Sequence, residues 1–546
     1  MRSLPGWHDH AVPLVKRTTR VALSTGIFLV AVVAACAPSS ESAGQQAVTE
    51  SRGPAGAVPP GMDRFYAQPL TWGECAPYAT SADTRSTFGG KGLQCARLTV
   101  PLDYSKPDGD TVTIGVLRHK ASDSTGRVGA LVVNPGGPGA SGMALAASLS
   151  THFSGSELGQ RFDLIGFDPR GVGASEPKVH CLTDRERDAQ RAEDLGVDGS
   201  PAGVAQQESA ARDFAAKCAQ RTEHGPEMLA NLGTRDVARD MDVLRSALGE
   251  PKLTYLGYSY GTRIGYTYAQ EFPGNVRAMV LDGAVDPSQD SLDEQIAQGA
   301  GFETAFNEFA AWCAARQDCV VGADPAEASQ AFQNLARPLI DNPVPLRDGR
   351  KLTYADATLG TIQALYSQQL WQTLNTGLND LRSGRGETLM ALADMYNERD
   401  PGGRYSNNQD AFTAIRCVDD PPVTDKTKIL DAENRFEQVA PFLDDGRANG
   451  AALDSCAFWP VPNTLQPHEP KISGVPPVLV ISTTNDPATP YQAGVNLAEA
   501  MNGALLTFEG TQHTAFLQGN QCVDTAGSAY LINNTLPPVG QRCAAQ

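Results

Sequence analysis

Histidine is scarce in this chain, with eight among 546 residues, and two of those, His8 and His10, fall in its first ten positions. A reaction that needs an imidazole base near neutral pH therefore has few places to draw one from. Positive charge is also short: 44 Lys and Arg stand against 62 Asp and Glu, for a formal net charge of −18. That balance argues against a nucleic-acid partner and supplies no polybasic patch for anionic lipid. No two cysteines stand at C-x-x-C spacing, which argues against a zinc or thiol-redox site. No apolar run reaches the eighteen residues of a membrane span. The stretch Val21 to Ala35 is nearly all apolar or small, but it has only fifteen residues.

That short run follows Lys16, Arg17 and Arg20, so residues 1–35 read as an export signal rather than a helix of the fold. Val33-Ala34-Ala35-Cys36 resembles the bacterial lipoprotein signal, in which the cysteine becomes the lipidated first residue. Without the leader the charge falls to −21. Residues 36–69 open with a stretch rich in Ala, Pro, Ser and Gly and are expected to form a flexible tether. Removing Cys36 leaves ten cysteines, an even set that suits disulfides in an oxidising compartment. Ten cysteines allow roughly 945 pairings. Pairing of neighbours is the simplest expectation: Cys75–Cys95, Cys181–Cys218, Cys313–Cys319, Cys417–Cys456 and Cys522–Cys543.

The stretch around which the chain is organised is Leu253 to Gly265. Leu253 to Leu256 read as a short buried strand. Gly257-Tyr258-Ser259-Tyr260-Gly261 fits G-x-S-x-G. Ile264, Tyr268 and Phe272 then fall at helical spacing, and Pro273-Gly274 ends the helix. A strand, a tight turn and a helix in that order place a serine in strained backbone with its hydroxyl exposed, which marks Ser259 as a candidate nucleophile.

A serine nucleophile needs a base, and past Ser259 only His468 and His513 remain. His468 lies in a solvated Gln-Pro-His-Glu-Pro turn. His513 follows the β-like run Leu505 to Glu509 and a Gly-Thr-Gln loop, where a base after the last core strand belongs. The acid is expected on the loop after the strand Val478 to Ser482, at Asp486, 27 residues before His513. A carboxylate there would fix the histidine tautomer and stabilise the imidazolium. Asp282, at the end of the strand Ala278 to Leu281, is the alternative acid.

Upstream, Ala96–Leu102 and Thr111–Leu117 read as a hairpin turning at Pro107-Asp108-Gly109-Asp110. The short strand Ala130–Val133 runs into Asn134-Pro135-Gly136-Gly137-Pro138-Gly139. Such a loop after a core strand supplies one oxyanion donor and the residue after the nucleophile supplies the other, here the N–H groups of Gly137 and Tyr260. Phe162–Phe167 is another strand, ending in Asp168-Pro169-Arg170-Gly171, whose charges are expected to orient the loop. Arg235–Leu248 reads as an amphipathic helix.

Asn-Pro-Gly-Gly-Pro-Gly, Gly-Phe-Asp-Pro-Arg-Gly-Val-Gly, Gly-Tyr-Ser-Tyr-Gly-Thr, Asp486 and Gly-Thr-Gln-His513 together resemble the tripeptidyl aminopeptidase branch of the proline-iminopeptidase-like serine peptidases. The motif set is also similar to that of exported actinobacterial enzymes, including mycobacterial cell-envelope lipoproteins described as carboxylesterase or protease. The likeness covers roughly residues 70 to 543. The simpler iminopeptidases carry His where this chain has Pro135, so their substrate choice is not carried over. The resemblance implies an α/β-hydrolase fold: a mostly parallel central sheet with an inserted, mainly helical cap. The expected division is 70–287 core, 288–440 cap and 441–546 core. The cap stretch agrees, with Phe302, Phe306, Phe309 and Cys313, and Leu370, Leu374, Leu378 and Leu381, at helical spacing. Within it, Ile415-Arg416-Cys417-Val418-Asp419-Asp420 resembles a recurring family segment, and Asp419 or Asp420 is a candidate for holding a substrate ammonium.

The expected reaction is acyl transfer to Ser259 with His513 as base and Asp486 as its orienting acid, requiring no metal and no cofactor. The expected substrate is a peptide, with release of short N-terminal fragments; a carboxylesterase or an endopeptidase of the cell envelope is the alternative, because the fold alone does not choose between them. The contrasting class is a tethered binding protein on an inactive hydrolase scaffold. The membrane is expected as a partner only through a lipid on Cys36, at the outer face of the cytoplasmic membrane, and the chain is expected to be a monomer.

Overall fold

The computed structural model describes residues 47–153, 155–193 and 199–545. Nine strands form the central sheet: β1 (Leu93–Pro101), β2 (Thr111–His119), β3 (Gly129–Asn134), β4 (Phe162–Phe167), β5 (Leu253–Tyr258), β6 (Val276–Asp282), β7 (Leu479–Thr483), β8 (Ala504–Glu509) and β9 (Arg542–Ala544). Their order is β1-β2-β4-β3-β5-β6-β7-β8-β9. β1 and β2 pair antiparallel as the expected hairpin, β2 pairs antiparallel with β4, and every later pairing is parallel. The central parallel strands β3, β4 and β5 are buried at every position, as strands covered on both faces must be. Alternate residues serve opposite layers. Val132, Ile165 and Tyr255 pack on one side with helix Thr234–Ala247, while Leu131, Leu164 and Leu256 pack on the other with helices Gly142–Phe153 and Gln521–Asn533.

Strand order reverses around β3, whose neighbours are β4 on one side and β5 on the other. In open α/β sheets the crevice at the carboxyl ends of such strands is where ligands bind. The loop after β3 and the turn after β5 both open there, with Asn134 paired to Gly257.

Between β6 and β7 the chain leaves the sheet and builds a helical layer with its own core. Phe302, Phe306 and Phe309 of helix Ser291–Ala314 meet Phe332, Trp371, Leu374 and Leu378, and Phe306 stacks on Phe442 with ring centroids 4.6 Å apart. The five disulfides join Cys75–Cys95, Cys181–Cys218, Cys313–Cys319, Cys417–Cys456 and Cys522–Cys543, as neighbour pairing anticipates.

Three boundaries differ from expectation. The tether does not extend to residue 69. Val48–Glu50 pairs antiparallel with Leu70–Trp72, and Glu50 takes a two-pronged hydrogen bond from Arg118, whose guanidinium lies 3.9 Å from the Trp72 ring centroid. Arg245 reaches the Ala55 carbonyl, and Met62 and Phe65 are buried. Small residues let this segment lie flat on the core, although they bury little themselves. The cap does not close at residue 440 either: Phe442 completes its core, Cys456 is bonded to Cys417, and the sheet resumes only at Leu479. Finally, a second excursion lies inside the stretch expected to be core. Helices Asp184–Glu193, Pro201–Arg221 and Gly225–Ala230 intervene between β4 and Thr234. Helix Asp184–Glu193 has no buried residue, so no apolar stripe announces it. It is held by charge instead, Arg191 meeting Asp356 and Asp394 of the cap and Asp188 meeting Arg399.

Candidate active site

Ser259 stands between β5 and helix Tyr260–Glu271 with φ 54° and ψ −129°, a conformation rare for a residue with a side chain. Close packing enforces the turn. A Cβ on Gly257 would come within 2.4 Å of the Gly261 carbonyl, and one on Gly261 within 2.9 Å of Asn134. The Ser259 N–H donates to the Asp282 carbonyl of β6 at 2.9 Å, and its carbonyl accepts from Thr262 Oγ1 at 2.7 Å. These contacts hold the strain in place. Ser259 Oγ makes no hydrogen bond to another protein group among the described residues and lines an open cavity.

The loop after β3 lies against this serine. A Cβ on Gly136 would fall 2.8 Å from Ser259 Cβ and 2.9 Å from the Tyr260 nitrogen, so only a bare backbone approaches this closely. Asn134 Oδ1 accepts the Gly136 N–H at 2.9 Å and shapes the loop. Gly137, Ser259 and Tyr260 line one cavity. Asp168 and Arg170 are not paired with each other. Asp168 accepts from Ser141 Oγ and the Met143 and Ala174 N–H groups, and Arg170 bonds Asp240 and the Pro101, Leu102 and Asn231 carbonyls. Asp168 thus fixes the segment that follows the glycine loop, whereas Arg170 ties the end of β1 to Asn231 and Asp240 rather than to Asp168.

His513 Nδ1 lies 2.9 Å from Asp486 Oδ1 and 3.1 Å from Oδ2. Asp486 is pinned in turn: Oδ1 accepts the Ala488 and Thr489 N–H groups, and Oδ2 accepts that of Thr514. The turn before Pro487 and the histidine contact therefore use one carboxylate together. Burial lowers the affinity of the His513 imidazole for a proton, but the charge and hydrogen bond of Asp486 outweigh it, and the pKa is raised above 6.5. Tyr366 of the cap crosses the His513 ring edge-on at 5.4 Å, and its carbonyl accepts the backbone N–H of His513 at 3.0 Å. His468 sits exposed, bonded to Gln466 and Gln270, away from these groups. Asp282 makes no hydrogen bond to the His513 ring. Its Oδ2 accepts the N–H groups of Ala515 and Phe516 on the same loop.

The Ser259 cavity has a volume of about 220 Å³ and is roofed by cap residues including Tyr366, Tyr396 and Phe412. Asp419 and Asp420 both reach it, from the end of helix Asn408–Asp419. Asp419 is buried and accepts from the Thr234 N–H at 2.7 Å, from Thr234 Oγ1 and from the Tyr260 hydroxyl. Burial pushes its pKa up to about 6. Asp420 pairs with Arg263 at 2.7 Å. Sequence reasoning missed a third carboxylate, Glu294. It lines the cavity from the first turn of the long cap helix, its pKa is raised by burial, and it makes no side-chain hydrogen bond among the described residues. Its neighbours Asp290 and Asp293 read as an ordinary helix start, so no sequence signal singled it out. A larger cavity of about 530 Å³ adjoins, sharing Ser291, Gln295, Gln298, Arg416 and Asp420 with the first.

A strained serine at the carboxyl end of a parallel sheet, a glycine loop against it and an Asp–His pair on the following loops define a serine hydrolase. The α/β-hydrolase fold family model matches residues 129–520, and the chain belongs to that family. Among its relatives, the serine protease Hip1 of Mycobacterium tuberculosis is 48% identical over 484 residues, covering 87% of this chain and 91% of that protein. The carboxylesterase B of the same species is 45% identical, covering 87% and 90%. The tripeptidyl aminopeptidase of Streptomyces lividans is 32% identical, covering 83% and 84%.

Proposed function

We propose that the protein is a peptidase that cleaves short fragments from peptide N-termini. Ser259 is the nucleophile, His513 the general base and acid, Asp486 its orienting carboxylate, and the N–H groups of Gly137 and Tyr260 hold the oxyanion. The observation that carries the peptide reading is the acid excess at the cap side of the Ser259 cavity. Asp419, Asp420 and Glu294 face Arg263 and Arg416, and Arg416 is already committed to Asp454. The carboxylates keep open lone pairs, since each can accept about four hydrogen bonds. A substrate ammonium restores the balance there, and the roof above it limits how much chain lies ahead of the scissile bond. The relatives named serine protease and tripeptidyl aminopeptidase support this reading. Esterase activity is the second reading, favoured by the carboxylesterase relative and by a triad that serves both acyl groups.

The test is kcat/KM on one tripeptide substrate with a free and with an acetylated N-terminus, beside a short-chain ester. A charge-assisted contact worth roughly 1.5 to 3 kcal/mol favours the free amine by about tenfold to a hundredfold. Equal rates reject the aminopeptidase reading, and turnover of the ester alone selects the esterase. Loss of the preference in Asp419→Asn or Asp420→Asn locates the ammonium.

We also propose that the mature chain is exported and held to the outer face of the cytoplasmic membrane by a lipid on Cys36, with part of it released. Cys36 lies outside the described residues. The five disulfides support an oxidising compartment. Mass analysis of the mature protein from a bacterial host should find Cys36 as a modified first residue, and Cys36→Ala should leave precursor or released protein. An unmodified N-terminus elsewhere rejects the anchor.

A further inference from the structure

Asp282 is fully buried at the end of β6, and the roles assigned above leave it without one. Its backbone and side chain face two different parts of the site. Its carbonyl accepts the Ser259 N–H at 2.9 Å. Its Oδ2 accepts the N–H groups of Ala515 at 2.9 Å and Phe516 at 2.7 Å, two and three residues past His513. Oδ1 has no partner, so this is a buried carboxylate retained at a cost. The loop it holds needs holding: Thr514 and Leu517 both have positive φ, 64° and 61°. The Tyr258 hydroxyl also donates to the Phe516 carbonyl at 2.9 Å, so the residues flanking Ser259 and those following His513 are tied twice.

We infer that Asp282 is a positioning residue that sets the distance between Ser259 and His513, through its carbonyl on one side and its carboxylate on the other. This goes beyond the peptide reading and holds equally for an esterase. The carboxyl group also lies near the imidazole. Burial pushes its own pKa up to about 7, and the groups facing it are Asp486, His513 and Tyr258. Its charge is lost as pH falls through about 7, so Asp486 is the carboxylate that stabilises the imidazolium and Asp282 acts through the position of the loop.

Asp282→Ala and Asp282→Asn separate these effects, with rates measured on a small activated ester and expressed per active site titrated with a fluorophosphonate. Misfolded protein then drops out of the count. Asn keeps an oxygen for the two N–H groups, whereas Ala leaves them unpaired and frees the loop. We expect Asp282→Ala to lower kcat by about a hundredfold with KM within about threefold, the signature of misplaced groups rather than lost binding. Asp282→Asn should recover most of that loss, because its amide oxygen still accepts the Ala515 and Phe516 N–H groups. Wild-type kcat in Asp282→Ala overturns the inference. So does an Asn variant as impaired as Ala, or one as impaired as Asp486→Asn, which would make Asp282 the triad acid instead.

Discussion

Ser259→Ala is expected to abolish turnover of both peptides and esters while leaving the fold intact. Loss of such a nucleophile costs on the order of 10⁴ to 10⁶ in rate, the remainder coming from binding and the oxyanion donors. The structure adds a reason to expect an unharmed fold. The contacts that hold the elbow are made by the Ser259 backbone, by Gly257, Gly261 and Thr262, and Oγ takes no part in them. Alanine carries the same Cβ as serine and inherits the same strained φ, so the substitution removes the hydroxyl and little else. Fluorophosphonate labelling and ester turnover, measured beside the thermal transition, check this. A variant that unfolds as the wild type does yet keeps more than about a tenth of its activity shows that Ser259 is not the nucleophile.

The elbow was legible in the sequence because its chemistry is local. Backbone clashes dictate glycine at 257 and 261, and the strand before and the helix after have opposite periodicities. The loop Asn134–Gly139 was legible for the same reason. The order Ser259, Asp486, His513 left one histidine in a plausible place. The disulfides pair nearest neighbours in the chain, and the Cys417–Cys456 pair crosses the cap boundary placed at 440, so the cysteines carried information that the strand pattern did not. What stayed hidden depends on contacts between distant segments. Helix Asp184–Glu193 is fixed by ion pairs to the cap across more than 160 positions of sequence. Residues 48–69 are fixed by scattered contacts, Glu50 with Arg118 and the side chains of Met62, Phe65 and Tyr66 in the core, with no stripe to announce them. Glu294 is distinguished from Asp290 and Asp293 only by the direction it faces once the cap is folded. Asp282 was visible as a possible acid, but its partners, the N–H groups of Ala515 and Phe516, lie 233 and 234 residues further along the chain.

Asp486→Asn is the second large effect, and the contacts of Asp486 say how it arises. Oδ1 accepts the Ala488 and Thr489 N–H groups at 3.0 and 2.9 Å, so an asparagine seats its carbonyl oxygen there and keeps the turn. Its NH₂ group then takes the place of Oδ2, facing the Thr514 N–H and lying 3.1 Å from His513 Nδ1, beside the carbonyl oxygen at 2.9 Å. A donor in that place favours the tautomer whose Nδ1 carries the lone pair. The proton moves to Nε2, the nitrogen that must accept from Ser259, and the imidazole can no longer act as base. A wrong tautomer of this kind is worth about 10⁴ in kcat, well beyond the loss expected from Asp282→Asn. The remaining activity should also respond differently to pH. In the wild type Asp486 raises the His513 pKa above 6.5, so the acid limb of kcat/KM lies above that value and activity falls as pH drops through it. With the charge removed, burial alone acts on His513, its pKa falls, and the acid limb of the variant moves to lower pH. A pH profile of kcat/KM for both proteins on one activated ester tests the tautomer and the charge together. A variant with near wild-type rate, or one whose limb does not move, would take the triad acid away from Asp486.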